Sequence, residues 1–277
     1  MSAIVLLTLA AVGLVAGFVA GLIGIGGGVL IVPFLYFFYA HPDWSGFAFP
    51  EAFHPTVAHA TSLLIIVPTA LRGTWSYSNA GLIVWRVALP VAAAAIAGGI
   101  VGAHFAIGVP APLLKVMFGG FLVASALQLA LGRSSDIGGP LRTNFVATTF
   151  TGLAVGILSG MMGVGGGILA LPLLMHVLHV DLRRAAATSL AIVGAAALAS
   201  VTTYAIAGMN AVVTPAGSIG YVHVYAALPI LIGAVLSVHW GTRANQRLNA
   251  VVLRRIFAVF FLLMGLQFVI ENIAALL

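Results

Sequence analysis

Two glycine clusters, Gly24 to Gly28 and Gly163 to Gly167, share the pattern G-x-G-G-G and are the part of this chain best suited to chemistry. They offer backbone rather than side chains. Glycines in a helix interior each cost about 1 kcal/mol relative to alanine, so a helix must break at each cluster. The helix that restarts at Gly28 or Val29, like its counterpart after the second cluster, leaves its first amides without intrahelical acceptors. Those donors and the helix dipole favour an anion. The candidate ligating residues are therefore Gly24, Gly26, Gly27 and Gly28 with Gly163, Gly165, Gly166 and Gly167; the alternative is a tight turn that binds nothing. A second repeated phrase, "ATSL", supplies Thr61 and Ser62 and again Thr188 and Ser189. Hydroxyls suit an oxyanion, but they also serve as helix caps.

Other chemistries lack their residues. A dinucleotide fingerprint needs a preceding strand and an acidic residue about 20 positions on, and neither is present. The absence of cysteine excludes disulfides and thiolate chemistry. No paired carboxylates, Ser/His/Asp set or metal triad is visible, so neither an enzyme nor a cofactor or metal is expected. His176 and His179 have metal-compatible spacing without a third ligand.

Positioning backbone groups requires elements, and composition states where those elements lie. Of 277 residues, 62% are hydrophobic and 6% charged, with mean hydropathy +1.20, whereas soluble domains carry about 25% charged residues. An all-α integral membrane protein is expected. The net charge of +6 could suggest nucleic acid. Its basic residues sit at the ends of apolar runs instead, as orientation signals do. No Lys or Arg precedes Arg72, so the first apolar run reads as a retained helix with its N-terminus outside, not a signal peptide.

The chain is a duplication. Shifting it by 139 positions superposes Gly13, Gly17, Gly21 and the first cluster on Gly152, Gly156, Gly160 and the second, with Pro33 on Pro172 and Gln128 on Gln267. The "ATSL" phrases and Tyr77 with Tyr204 match at an offset of 127, because the first half carries a loop twelve residues longer. Domains are expected at 1–131 and 144–277, joined by a cytoplasmic linker at 132–143. Each half has five apolar segments, the first two separated only by the cluster. If that pair folds as a V, the halves are inverted and ten of the eleven basic residues fall inside. If it is one crossing, the best split is 7 to 4. The positive-inside rule favours the inverted repeat.

The G-x-x-x-G-x-x-x-G runs before each cluster read as close-packed helix faces. Gln128 and Gln267 read as interhelix packing bonds. His59, replaced by Ala186 in the second half, could carry pH sensitivity. Arg72, opposite Ala199, reads as an inside anchor or an asymmetric substrate contact. Trp75, Tyr77, Trp85 and Trp240 fit an interfacial belt. The acidic residues Asp43, Glu51, Asp136, Asp181 and Glu271 all avoid mid-membrane positions, which favours an anionic cargo over a cation.

Paired G-x-G-G-G clusters, each followed by a proline five residues on and by "ATSL", resemble the TauE/SafE family of sulfite exporters and sulfonate permeases. The resemblance covers nearly the whole chain. It implies transport of sulfite, sulfoacetate or another small oxyanion across the bacterial inner membrane, with the clusters and the Thr/Ser pairs forming the central site; with the inverted repeat, an alternating-access carrier is expected. The expected partners are that anion and the lipid bilayer; a homo-oligomer is compatible with the sequence, and nucleic acid is not expected. An anion channel and a non-transporting scaffold are the alternatives.

Overall fold

The computed structural model describes residues 2–24, 26–131, 141, 143–209, 214–245 and 250–274. Arg133, Asp136, Arg142, Arg247 and, apart from Leu141 and Thr143, the linker at 132–143 lie outside the described residues. The first half comprises α1 (Ala3–Ile23), α2 (Gly28–Ala40), the short α3 (Pro42–Ser45), α4 (His54–Asn79), α5 (Trp85–Ile107) and α6 (Ala111–Leu131). The second comprises α7 (Phe145–Met162), α8 (Gly167–His176), α9 (Leu182–Ala207), α10 (Val224–Asn245) and α11 (Ala250–Ile273). Among the described residues seven helices are long and apolar enough to cross a membrane. Large apolar side chains such as Leu7, Phe150 and Ile232 point outward, as a lipid-facing surface requires. The chain is an all-α integral membrane protein.

The fourth apolar run of the second half begins at Tyr221 and reads as helix from there. The structure instead forms a two-stranded hairpin, β1 (Ser218–Ile219) against β2 (Val222–His223), and starts α10 one residue later. Gly217 and Gly220, both at positive φ, close that hairpin.

Lipid offers no hydrophobic drive for helix association, so contacts rest on close packing of small residues. Gly13, Gly17 and Gly21 of α1 lie directly on the backbone of Ile230, Ala234 and Val238 in α10. Gly152, Gly156 and Gly160 of α7 lie likewise on Val91, Ala95 and Gly99 in α5. Both registers rise together, so each pair is parallel, and each pair joins the first helix of one half to the fourth long segment of the other. The halves are thus interlocked rather than side by side.

Matching helices of the two halves cross antiparallel at the centre. Gly73 of α4 meets Leu190 of α9 while Gly194 meets Ala70. Gly119 of α6 meets Gly265 and Val269 of α11 while Gly265 meets Val123. The short helices turn back. Tyr39, near the end of α2, hydrogen-bonds His223 just before α10, and α10 starts beside the start of α1. Leu174 and Leu178, at and beyond the end of α8, pack with Val87 and Val91 near the start of α5, beside the start of α7. One end of the bundle therefore holds the starts of α1, α4 and α10. The other holds the starts of α5, α7 and α9, with Arg72, Arg86, Arg183, Arg184 and Arg243 near it.

A methyl group at Gly156 would stand 2.2 Å from the Ala95 carbonyl oxygen, whereas one at Gly120 would meet nothing within 4 Å. Gly156→Leu is expected to abolish monodisperse folded protein in detergent, measured by fluorescence size-exclusion chromatography, while Gly120→Ala elutes as the parent. A folded Gly156→Leu protein would show that this helix pair is not held by backbone contact.

Candidate functional site

Each break is built in the same way. Gly24 and Gly163 end α1 and α7 in the left-handed conformation, with their amides on the Ala20 and Ser159 carbonyls. Gly27 and Gly166 then cap α2 and α8, also left-handed, and their carbonyls accept from Leu30 and Ile31 and from Leu169 and Ala170. The first turns of α2 and α8 thus begin inside the bundle, and their leading amides lack intrahelical acceptors.

The two breaks meet. A methyl group at Gly28 would lie 2.6 Å from Val164 Cα. At Gly26 and Gly165, both at positive φ, it would lie 2.8 Å and 2.7 Å from the same Val193 Cγ1, and 3.6 Å and 3.3 Å from the same Ile66 Cγ2. Val193 of α9 and Ile66 of α4 therefore close over both tips. All the described glycines of the two clusters are buried. The sequence reading did not single out Val193 or Ile66, since apolar residues inside apolar helices carry no signal of their own.

The Thr/Ser pairs divide into different tasks. Thr61 Oγ1 accepts from the His223 amide at 3.0 Å, and Thr188 Oγ1 accepts from the Val84 amide at 3.1 Å. Each threonine secures the chain leading into α10 or α5 of the opposite half. Ser189 Oγ lies 2.8 Å from the Gly24 carbonyl and 3.0 Å from that of Ala186, fixing the first break. Its counterpart Ser62 is buried with no protein partner. Ser159 and Thr151 of α7 also have buried, unpaired hydroxyls; they replace Ala20 and Val12 of the matching helix. That substitution of hydroxyl for apolar residue was the available signal, and the sequence reading missed it.

His59 sits at the second break, its Cα 2.5 Å from where a methyl group on Gly163 would lie. Its Nε2 shares a hydrogen bond with Tyr36 Oη. Nδ1 is buried beside the Met161 backbone and makes no hydrogen bond. Phe118 and Phe268 meet the Tyr36 ring edge-on at 5.7 Å and 5.3 Å. His59, Ser62 and Ser159 thus lie within one helical turn of the contact between His59 and Gly163, and each retains an unused polar atom.

Two readings from the sequence change. Tyr77 is not an interfacial residue: it is fully buried and donates to the Gly21 carbonyl at 2.6 Å, as Tyr204 donates to Gly160 at 2.8 Å. These are last-turn carbonyls that the breaks would otherwise leave unpaired. Asn245 Nδ2 serves the next one, Leu22, at 2.6 Å. Trp75, Trp85 and Trp240 are exposed as a belt would be. Gln128 and Gln267 do not bridge helices: both are exposed, and Gln267 donates to Glu271 of its own helix. The buried stripes of α6 and α11 pass through Gly119 and Gly265, away from both glutamines. His176 hydrogen-bonds the Pro172 carbonyl of its own helix at 3.0 Å. Arg72 lies near the end of α4 rather than at the tips, stacked over Trp75.

Interrupted helices meeting inside a bundle of apolar spans define a polytopic membrane protein of transporter type. The chain matches the family described as sulfite exporter TauE/SafE over residues 9–268 and belongs to it. It is similar to a probable membrane transporter protein of Methanocaldococcus jannaschii, 26% identical over 92% of each chain. It also resembles the probable membrane transporter protein YunE of Bacillus subtilis, 28% identical over 99% of each. A probable membrane transporter protein of Haemophilus influenzae is 25% identical over 92% of this chain and 95% of its own. No solved structure matches significantly.

Tyr204→Phe leaves the Gly160 carbonyl unpaired in the bundle, at a cost of about 1–3 kcal/mol. A lower thermal midpoint in detergent is expected, with a similar loss for Tyr77→Phe; unchanged midpoints would remove these bonds from the account of the breaks.

His223, just before α10, is held by burial well below its usual range, at about 4, with the Ala216 backbone opposing that shift. The unfolded chain, with an ordinary imidazole near 6.5, binds the extra proton first. Stability present above pH 6.5 should therefore fall as pH drops towards 4 and level off below it. His223→Leu should flatten this segment of a midpoint-against-pH curve, and an unchanged slope would contradict the assignment.

Proposed function

We propose that this protein is a secondary transporter that carries a small sulfur-containing or organic oxyanion, such as sulfite, sulfoacetate or another sulfonate, by alternating access around the paired breaks. The observation that carries this reading is the meeting of both G-x-G-G-G tips at Val193 and Ile66. Two helix starts aimed at one buried point present amide donors from both halves to a single anion. Irregular backbone at such depth is tolerated only where protein or a watery cavity surrounds it. The described carboxylates Asp43, Glu51, Asp181 and Glu271 lie outside the middle of the long spans, which suits a negative cargo. Ser62, Ser159 and His59 offer side-chain partners at the second tip.

In the present arrangement Val193 and Ile66 occlude the tips. Transport then requires α4 and α9, which carry them, to shift against the V-shaped pairs. The antiparallel crossing of α4 with α9 and of α6 with α11 supports an inverted repeat, the architecture that lets two equivalent states open to opposite sides. The clustering of arginines at one end supports that end as the cytoplasmic one. The start of α1 and the end of α11 then face outward, and the membrane is the bacterial inner membrane.

Saturable sulfite and sulfoacetate uptake, with exchange against internal unlabelled anion, is expected in proteoliposomes. Gly165→Leu, which places side-chain atoms where Val193 already stands, should abolish it while Gly120→Ala retains full rate. Undiminished flux through folded Gly165→Leu protein would dismiss the tips as the site; flux without exchange would mark a channel.

A further inference from the structure

Away from the breaks, the ends of α4 and α10 enclose an open cleft of about 390 Å³, within the range of small-molecule pockets. Its walls are Arg72, Trp75, Ser76 and Asn79 from α4 and His239 and Arg243 from α10. Every one of these polar side chains can donate a hydrogen bond, and two are permanent cations. The cleft contains no carboxylate, and among the described residues the sole ion pair is Arg184 with Asp181. Arg72 and Arg243 therefore face the same space without counter-charge. Both are exposed, and Arg72 is stacked 4.7 Å over the Trp75 ring, which leaves its guanidinium edge free for a planar or tetrahedral oxyanion. Beneath them, Ser76 and Thr242 hydroxyls join α4 to α10 at 2.7 Å and fix the spacing of the walls.

Comparison with the other half separates this cleft from a product of duplication. The residues matching Arg72, Trp75, Ser76 and Asn79 are Ala199, Thr202, Thr203 and Ile206; those matching His239 and Arg243 are Ile100 and His104. Packing shared by the repeats would have kept similar residues on both sides. Here both arginines and the aromatic shelf occur in one copy only, at the end of the bundle that collects basic residues. The asymmetry belongs to what that face meets.

We infer that this cleft is a second oxyanion site, in which the Arg72 and Arg243 guanidinium groups hold one sulfonate, sulfite or phosphate group at the basic end of the bundle. Its ligand is either a free anion from the aqueous phase or the phosphate of a lipid headgroup. Its use as a holding site for substrate on the way to or from the breaks rests on the transport reading; the binding itself does not. Being open and screened by salt, such a site concentrates anions most at low ionic strength.

The test uses full-length protein in phosphatidylcholine nanodiscs, with sulfoacetate titrated calorimetrically, and the double substitution Arg72→Gln with Arg243→Gln. Exposed, unpaired arginines should be replaceable without changing the thermal midpoint, and Arg72→Lys with Arg243→Lys provides a charge-retaining comparison. Sulfoacetate binding is expected to weaken at least tenfold in the glutamine variant and partly recover in the lysine variant. In the lipid arm, phosphatidylglycerol retained by the protein is followed by native mass spectrometry. A tenfold loss confined to that arm keeps the site and assigns it to lipid. If neither probe distinguishes wild type from the glutamine variant, the proposal is overturned. Flux with no cleft binding defeats this inference alone, and cleft binding with no flux defeats the transport reading alone.

Discussion

Hydrocarbon contains no water to hydrogen-bond a broken helix, and the whole structure answers to that constraint. Two helices stop inside this bundle, exposing carbonyls at the ends of α1 and α7 and amides at the starts of α2 and α8. The carbonyls are met from neighbouring elements: Tyr77 and Tyr204 serve Gly21 and Gly160, Asn245 serves Leu22, and Ser189 serves Gly24. The leading amides of α2 and α8 lack intrahelical acceptors, and in the transport reading proposed above they are the groups left for an anion.

Holding those caps in register demands close helix contact without a hydrophobic drive. The G-x-x-x-G faces provide it by letting α1 rest on α10 and α7 on α5, backbone against backbone. Because each contact joins opposite halves, neither repeat can form its break alone. Thr61 and Thr188 reinforce the exchange by securing the approach to α10 and α5 across the same boundary.

The broad architecture was legible because its signals are local. Ten of the helices coincide closely with apolar runs, and glycine triplets mark the breaks without reference to any neighbour. The sites of contact were not legible in the same way. Tyr77 looked like a belt residue because its position near a helix end is a local fact, whereas its partner Gly21 lies 56 residues away. Thr61 and Thr188 looked equally like ligands and caps because the deciding partners, His223 and Val84, are 162 and 104 residues distant. The hairpin before α10 hid inside an apolar run, since Val222 and Tyr221 suit strand and membrane helix alike. The glutamines failed for a related reason. A polar side chain in an apolar segment invites a partner, but only packing decides which face it occupies.

Duplication also makes departures from symmetry informative. Ser189 is bonded and Ser62 is free; Ala186 is matched by His59; Ala20 and Val12 are matched by Ser159 and Thr151. His59, Ser62 and Ser159 fall within one turn of the second break and Thr151 lies further back along α7, while at the first break Ser189 is bonded and Asn245 keeps a buried Oδ1 without a partner. A buried hydroxyl without a partner costs about 1–3 kcal/mol, and the matching helix shows that an apolar residue fits the same position. Ser159 and Thr151 thus carry hydroxyls where apolar residues fit, and in the transport reading proposed above Ser159 is available to a polar cargo. In that reading the two tips need not contribute equally, even though the same phrase encodes both, because the hydroxyls of Ser62 and Ser159 lie beside the second.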